Sequence, residues 1–360
     1  MIKPELKQGV MAVSATEKPK KLNLKTVASY LGVSVATVSN AYNRPDQLSP
    51  ELRQRILQQC TELGYDGPNA AARSLRTGRS GIVAVLLSDT LEYSVSDPVA
   101  NQFIKGVAEV LQEHGMDMLL LSGRHNTSSS SAEAVPDAFI LYGAPSNPEQ
   151  LNRIIKSGKP LITVDCNLDN AMSVNVDNYA AAHRIAEHAF AKMQGKVAVL
   201  GLRLIESDRV CRIQPHELYS TEQAISRRRL DGYLAAAIEQ GRDLPADAVW
   251  HIPLNTHHFA LVAAREALTQ YPRPQVLLCM SDRIALAAMA VARDLGINIP
   301  DDLVVAGFDG IEEAERSYPS LTTIAQHSDE KGRTAARILL SGELGADLLM
   351  PSELIIRQSC

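Results

Sequence analysis

Residues Thr26–Asn43 read T-V-A-S-Y-L-G-V-S-V-A-T-V-S-N-A-Y-N, two short helical patterns parted by Gly32. Leu24, Val27, Ala28 and Leu31 recur at helical spacing, with Asn23 placed to cap the first helix. Gly32 ends that helix and Ser34 can cap a second that starts at Val35. A third follows, with Ser49 at the cap, Pro50 at the first helical position, and Leu52, Ile56, Leu57, Cys60 and Leu63 along one face up to Gly64. Three short helices with a tight glycine turn between the first two are the helix-turn-helix layout. The second helix opens with the small side chains Val35 and Ala36, which permit close approach to a groove floor. Thr37 and Ser39 can donate to phosphates, Asn40 can pair with the edge of an adenine, and Asn23 counts with them as DNA-facing. A plain three-helix bundle would show the same apolar pattern, so the periodicity alone leaves DNA binding open.

Charge sharpens the choice. Of the 36 basic and 41 acidic residues, twelve basic and six acidic ones fall within residues 1–80, which leaves 24 and 35 for the remainder. A basic head on an acidic body suggests a polyanion contact confined to the N-terminal part, although a solvated basic tail would look similar. The 360 residues, 45% of them hydrophobic, suit two or three domains with sizeable cores. No apolar run is long enough for a membrane helix, and the first twenty residues lack the apolar core of a signal peptide, so the expected compartment is the cytoplasm. Cys60, Cys166, Cys211, Cys279 and Cys360 are odd in number and lack a Cys-x-x-Cys spacing, which argues against disulfides and structural zinc. Residues 1–21, with Pro4, Pro19 and five lysines, read as a disordered arm.

Beyond residue 80 short apolar runs alternate with helical stretches. The runs are Ile82–Leu87, Met118–Leu121, Ala138–Leu141, Leu161–Val164, Val197–Leu200, Val276–Leu278 and Leu303–Ala306. The helical stretches include Pro98–His114, Asn178–Met193, Thr221–Gln240 and Asp282–Leu295. Such alternation implies parallel sheets covered on both faces, and there are enough strands for two doubly wound subdomains. His125–Ala134 is Ser-rich where a crossover helix belongs, and predicts a loop or a single turn. In open α/β sheets ligands bind beyond the carboxyl ends of the strands. Ser88, Asp97, Asp165, Ser281 and Asp309 stand at such ends, and Arg229 heads the segment R-L-D-G-Y. A polar residue there could equally cap the next helix.

The head segment resembles the lactose-repressor (LacI/GalR) family. That family's V-A-x-x-A-G-V-S-x-x-T-V-S-x-x-x-N matches Val27–Asn43 except for Leu31 in place of alanine. The likeness continues through Ser49–Ile56, Leu63–Tyr65 and Pro68–Arg76, then Ser281–Met289, Asp302–Asp309 and Pro319–Ile324. It implies a helix-turn-helix head on an α/β periplasmic-binding-protein-like body. It further implies a hinge helix over Asn69–Arg76, with Leu75 as the wedge between base pairs. The residues agree: Ala70, Ala71 and Ala72 make a thin side, Asn69, Arg73 and Arg76 can meet phosphates or base edges, and Leu75 is a single apolar projection. The resemblance also puts Arg229, Ser281 and Asp309 where relatives hold effector hydroxyls or carboxylates, while Asp97 and Asp165 rest on the strand-end argument. Three features depart from the family: two residues, Asp66 and Gly67, stand between Tyr65 and Pro68, where it has one. Asn40 stands where many relatives carry arginine, which puts a guanine-reading contact in question. Leu202–Ser220 is longer than usual and reads as a polar loop at the mouth of a cleft.

The expected organisation is a head over 22–66, hinge and linker over 67–80, and a body over 81–360. Within the body one subdomain takes about 81–175 and 326–347, the other about 176–325 and 348–360. The expected function is transcription regulation, repression by resemblance, through operator DNA bound as a homodimer or higher oligomer and a sugar-like effector, with no cofactor, metal or membrane. A transport solute-binding protein would need a signal peptide and no DNA-binding head. A sugar-metabolising enzyme would need a Walker loop, a Gly-x-Gly-x-x-Gly, a His-Glu-x-x-His or a Gly-x-Ser-x-Gly, and the chain has none. His257-His258 point in different directions on a helix, and Asp165 with Asp309 have no nucleophile to serve.

Overall fold

The computed structural model describes residues 22–67, 78–124, 131–144, 146–219, 224–343 and 345–360. Residues 1–80 and 81–360 form two separate compact units. The expected arm and the hinge residues Asn69, Ala72, Arg73 and Leu75 lie outside the described residues.

In the head, α1 (Leu24–Leu31), α2 (Val35–Asn43) and α3 (Pro50–Glu62) begin at the predicted caps Asn23, Ser34 and Ser49, each side chain accepting from a backbone N–H one turn on. Gly32 ends α1 at φ +63°, a left-handed conformation that leaves glycine unstrained. Val27, Ala28, Val38, Ala41, Ile56 and Cys60 meet at the centre.

The first lobe of the body is a wholly parallel six-stranded sheet. Its order is β12 (Leu348–Met350), β5 (Met172–Val176), β4 (Leu161–Val164), β3 (Ala138–Tyr142), β1 (Ile82–Leu87) and β2 (Asp117–Ser122). Apolar side chains serve both faces: Val83, Val85 and Leu87 pack toward Phe103 and Val107, whereas Ala84 and Leu86 pack with Phe139 and Ile154. The first face is covered by α5 (Pro98–Glu113) and α12 (Ser328–Ser341). These two helices touch backbone to backbone, since a Cβ on Gly106 would stand 1.9 Å from the Asp329 carbonyl oxygen and one on Gly332 would stand 2.3 Å from that of Phe103.

The second lobe orders β10 (Val304–Ala306), β9 (Val276–Cys279), β6 (Val197–Leu200), β8 (Val249–His251) and β7 (Cys211–Arg212), parallel except at β7. Its helices are α7 (Asn178–Lys192) and α8 (Ile225–Glu239) on one side, with α9 (His257–Leu268) and α10 (Asp282–Asp294) on the other. The remaining helices are α4 (Leu91–Ser96), α6 (Pro148–Lys156) and α11 (Glu312–Arg316). A two-stranded ribbon joins β11 (Thr323–Ala325) to β13 (Glu353–Ile355). The chain therefore passes between lobes three times: before α7, between β11 and α12, and between β12 and β13.

Three expectations change. Leu348–Met350 was assigned to the second subdomain, but it hydrogen-bonds along Val174–Val176 as the edge strand of the first sheet. The return crossing thus falls after residue 350, where Pro351 lacks the N–H needed to prolong the strand. Leu202–Ser220 is not simply a polar loop: Leu204, Ile213 and Leu218 are buried in the second core and Cys211–Arg212 adds an edge strand. The predicted helical start at Thr221 is not shared by α8, which begins at Ile225, with residues 221–223 outside the described set. In the Ser-rich interval, Ser131–Ala134 forms a single 3-10 turn, and 125–130 lie outside the described residues.

Candidate functional sites

The exposed start of α2 is the first site. Val35 and Ala36 are exposed, and Thr37 and Asn40 are half-buried. Thr37 Oγ1 shares a 2.8 Å hydrogen bond with Ser34 Oγ, which braces the cap. Asn23 is exposed, but its Oδ1 already accepts from the Thr26 N–H and hydroxyl. Ser39 gives way as a phosphate donor: it is 7% exposed, and Asn43 Nδ2 donates to its carbonyl at 2.9 Å. Ser39 follows the buried Val38 and stands with it and Ala41 on the inner side of the helix.

The second site is a cavity of about 950 Å³ between the two lobes of the body. All five predicted effector residues line it, together with Ser88. Asp97 caps α5 by accepting from the Ala100 N–H at 3.2 Å, and Ser281 caps α10 by accepting from the Ile284 N–H at 3.2 Å. For these two, the capping and cavity roles coexist. Ser281 also donates to Asn255 Oδ1 at 2.9 Å. Asp97 faces Arg283 of the other lobe at 3.6 Å, and its Oδ1 is buried without a hydrogen bond. Burial pushes the Asp97 carboxyl up while Arg283 pulls it back.

Arg229 is 3% exposed and almost fully committed. Its Nε donates to Asn178 Oδ1 at 2.9 Å, one terminal nitrogen donates to the Met280 carbonyl and to Asp309 Oδ1 at 3.3 Å, and the guanidinium lies 3.6 Å over the Phe308 ring. Asp309, at φ +129°, also accepts from Gln326 Nε2 at 2.8 Å. Burial raises its carboxyl to about 8, even though the Arg229 guanidinium pulls it back. Asp165, at φ +57°, receives the Lys331 ammonium.

Residues missed from the sequence are Asn178, Asn255 and Gln326, which also line the cavity, and Arg283 and Lys331, which pair with its carboxylates. One signal was available. Ser328, Lys331, Gly332, Ala335, Ala336 and Leu339 form the buried stripe of α12, so a lysine interrupts an otherwise small or apolar face.

The long 202–220 segment is held to the cavity by His251, which is fully buried. Its Nδ1 accepts from the Leu204 N–H at 3.0 Å and the Ile205 N–H at 3.4 Å, and its Nε2 donates to the Ser207 carbonyl at 3.0 Å. That pattern requires a neutral ring, and burial lowers its pKa accordingly. Leu202 and Arg203, just ahead of the clasp, line the cavity. A group whose folded pKa is depressed contributes stability above its unfolded pKa and loses it as pH falls. Stability should therefore drop between pH 7 and 5 more steeply in the parent than in His251→Asn, whose Oδ1 keeps an acceptor and cannot take up a proton. Urea titrations at the two pH values check this; parallel losses would remove the role given to His251.

Both units of the chain have counterparts among known proteins. Residues 23–69 match the family described as bacterial regulatory proteins, lacI family, and residues 210–360 match a periplasmic binding protein-like domain. An HTH-type transcriptional regulator of Mycolicibacterium smegmatis is 35% identical over 337 residues, covering 89% of this chain and 90% of its own. The regulator IpsA of Corynebacterium glutamicum is 30% identical over 324 residues, covering 88% and 90%. Among solved structures, the lac repressor dimer bound to operator and an anti-inducer superposes with a TM-score of 0.71 at 20% identity, covering 94% of this chain and 99% of that one. The complex of the regulator CelR with cellobiose gives 0.66 at 24%, covering 94% and 100%. With a third of its residues identical to a full-length relative, a matching head and a matching body, this chain belongs to the lacI family of helix-turn-helix transcription regulators.

Proposed function

We propose that the protein represses transcription as a homodimer on a pseudo-palindromic operator, and that a small hydroxylated metabolite held between the lobes of its body controls it. The observation that carries the effector half is the lobe-spanning cavity walled by carboxylates, amides and hydroxyls with few aromatic faces, which suits hydrogen-bonded hydroxyls better than a stacked base. Cellobiose in CelR, and operator and anti-inducer on the lac repressor, are precedents from structures of the same fold. Asp97, Asp165, Arg229, Ser281 and Asp309 are the proposed effector contacts, and Val35, Ala36, Thr37 and Asn40 the proposed DNA contacts. The role proposed for the site is regulatory, in keeping with a family of transcription regulators. Change in the lobe angle would alter the separation of the two hinge segments of a dimer and so shift DNA affinity.

Gel shifts of the full chain on palindromic DNA, with and without a metabolite panel, test this directly. Asn40→Ala is expected to relax base preference at one or two positions per half-site, at a cost of about 1–3 kcal/mol there. A uniform loss on every operator variant would make Asn40 a positioning contact instead.

A further inference from the structure

Lys331 has no exposed surface. Its Nζ donates to Asp165 Oδ2 at 2.5 Å and to Gln326 Oε1 at 2.9 Å, and Gln326 passes the contact on to Asp309 and hence Arg229. One unbroken polar line thus runs from the end of β4 in the first lobe to α8 in the second. Asp165, Gln326, Asp309 and Arg229 line the cavity, whereas Lys331 stands behind them. A lysine is strongly penalised in such a place unless its charge is matched, and Asp165 is the acidic partner that matches it.

The other charges around the cavity are matched in the same way. Asp89 meets Arg124 at 2.8 Å, Asp97 meets Arg283 at 3.6 Å and Asp309 meets Arg229 at 3.3 Å. Asp347 accepts from the Ser173 N–H. Of the remaining lining cations, Arg203 pairs with Glu206 and Arg228 with Asp177. Among the described residues, an anionic ligand would find no lining cation without an acidic partner. Asp97 Oδ1 and Asp165 Oδ1, by contrast, are buried acceptors with no hydrogen-bond donor, and donors are what a polyol brings. A slight turn of either carboxylate would present that oxygen to the cavity.

We infer that Lys331 is a specificity-determining positioning residue, which holds Asp165 ready to accept ligand hydroxyls and so commits the cleft to uncharged polyols or sugars over their carboxylated or phosphorylated counterparts. This rests on the effector reading above and narrows it to one chemical class.

The test uses the full chain in thermal-shift assays against two sets. The first holds D-glucose, D-xylose, cellobiose and D-sorbitol; the second holds D-gluconate, D-glucuronate, D-glucose 6-phosphate and D-glucosamine. Stabilisation by members of the first set alone is expected. A response only from the charged set overturns this inference and leaves the effector reading standing, whereas silence from both sets withdraws the two together. With the responding sugar as probe, calorimetry on Lys331→Met should show affinity reduced at least tenfold, because Asp165 would then lose the donor that orients it. Lys331→Met/Asp165→Asn removes both charges and serves as the control for folding. If that double variant regains both the parental melting temperature and the parental affinity, Lys331 is merely structural and the inference fails. Recovery of the melting temperature with affinity still at least tenfold weak supports it.

Discussion

Arg229→Ala should lower the stability of the body by about 3–5 kcal/mol and abolish the response to effector. Both halves of that expectation come from the same geometry. The side chains of Arg229 and Asp309 are 4% and 6% exposed, so their attraction is little screened by solvent. Truncation strands the Asp309 carboxylate, removes a donor from Asn178 and from the Met280 carbonyl, and leaves the Phe308 ring uncovered. The sign of the pH dependence follows. Asp309 can escape by taking a proton, so the deficit relative to the parent should be smaller at pH 5 than at pH 8. Arg229→Ala/Asp309→Asn should recover part of the stability but none of the effector response. Denaturation at the two pH values and calorimetry of each variant decide it. A variant as stable as the parent at pH 8 would mean that the pair contributes nothing to the fold. Retained effector affinity would remove Arg229 from the ligand contacts and leave it structural.

Gly106→Ala should be the most damaging single methyl group in the first lobe. The added carbon would lie 1.9 Å from the Asp329 carbonyl oxygen and 2.8 Å from its carbon, and neither backbone can yield without parting α5 from α12. Overpacking of this kind costs about 3 kcal/mol or more. The consequence reaches the cleft, because Lys331 sits on α12 beside Gly332, the glycine that makes the reciprocal close approach. Displacing α12 would move the ammonium from Asp165. We therefore expect weakened effector binding together with a lowered melting temperature, while an exposed control on α5, Lys105→Ala, changes neither. A Gly106→Ala protein that melts with the parent would show that the helices can separate freely.

How much of this was legible in the sequence depended on the range of the interaction involved. The head was read almost residue for residue, since caps at Asn23, Ser34 and Ser49 and the turn at Gly32 are local signals. Seven strand runs and four helices of the body were found from apolar runs and their spacing. The six shorter or more polar strands β5, β7, β8, β11, β12 and β13 were missed: Met172–Val176, for one, is interrupted by Ser173 and Asn175, and Val249–His251 is only three residues long with a histidine in it. These last two owe their place to neighbours on either side. The strand-end rule brought Asp165, Ser281 and Asp309 to one cavity, because the carboxyl edge of a parallel sheet is fixed once the strand order along the chain is known. Asp97 lines the same cavity but stands at the junction of α4 and α5, not at the strand end expected of it.

Tertiary structure alone decided the rest. That Leu348–Met350 returns to the first sheet and that His251 clasps the 204–207 backbone are outcomes of contacts between distant segments. The same holds for charge. Lys331 and Asp165 are 166 residues apart, and Arg283 and Asp97 are farther still. The sequence by itself determined which elements form and which class of protein they build, since backbone preference and hydrophobic period act within a few residues. The pairing of its charges and the exclusion of water around them required the folded lobes, because a carboxylate's partner and its dielectric surroundings are set by what lies within a few ångströms in space, whatever the distance along the chain.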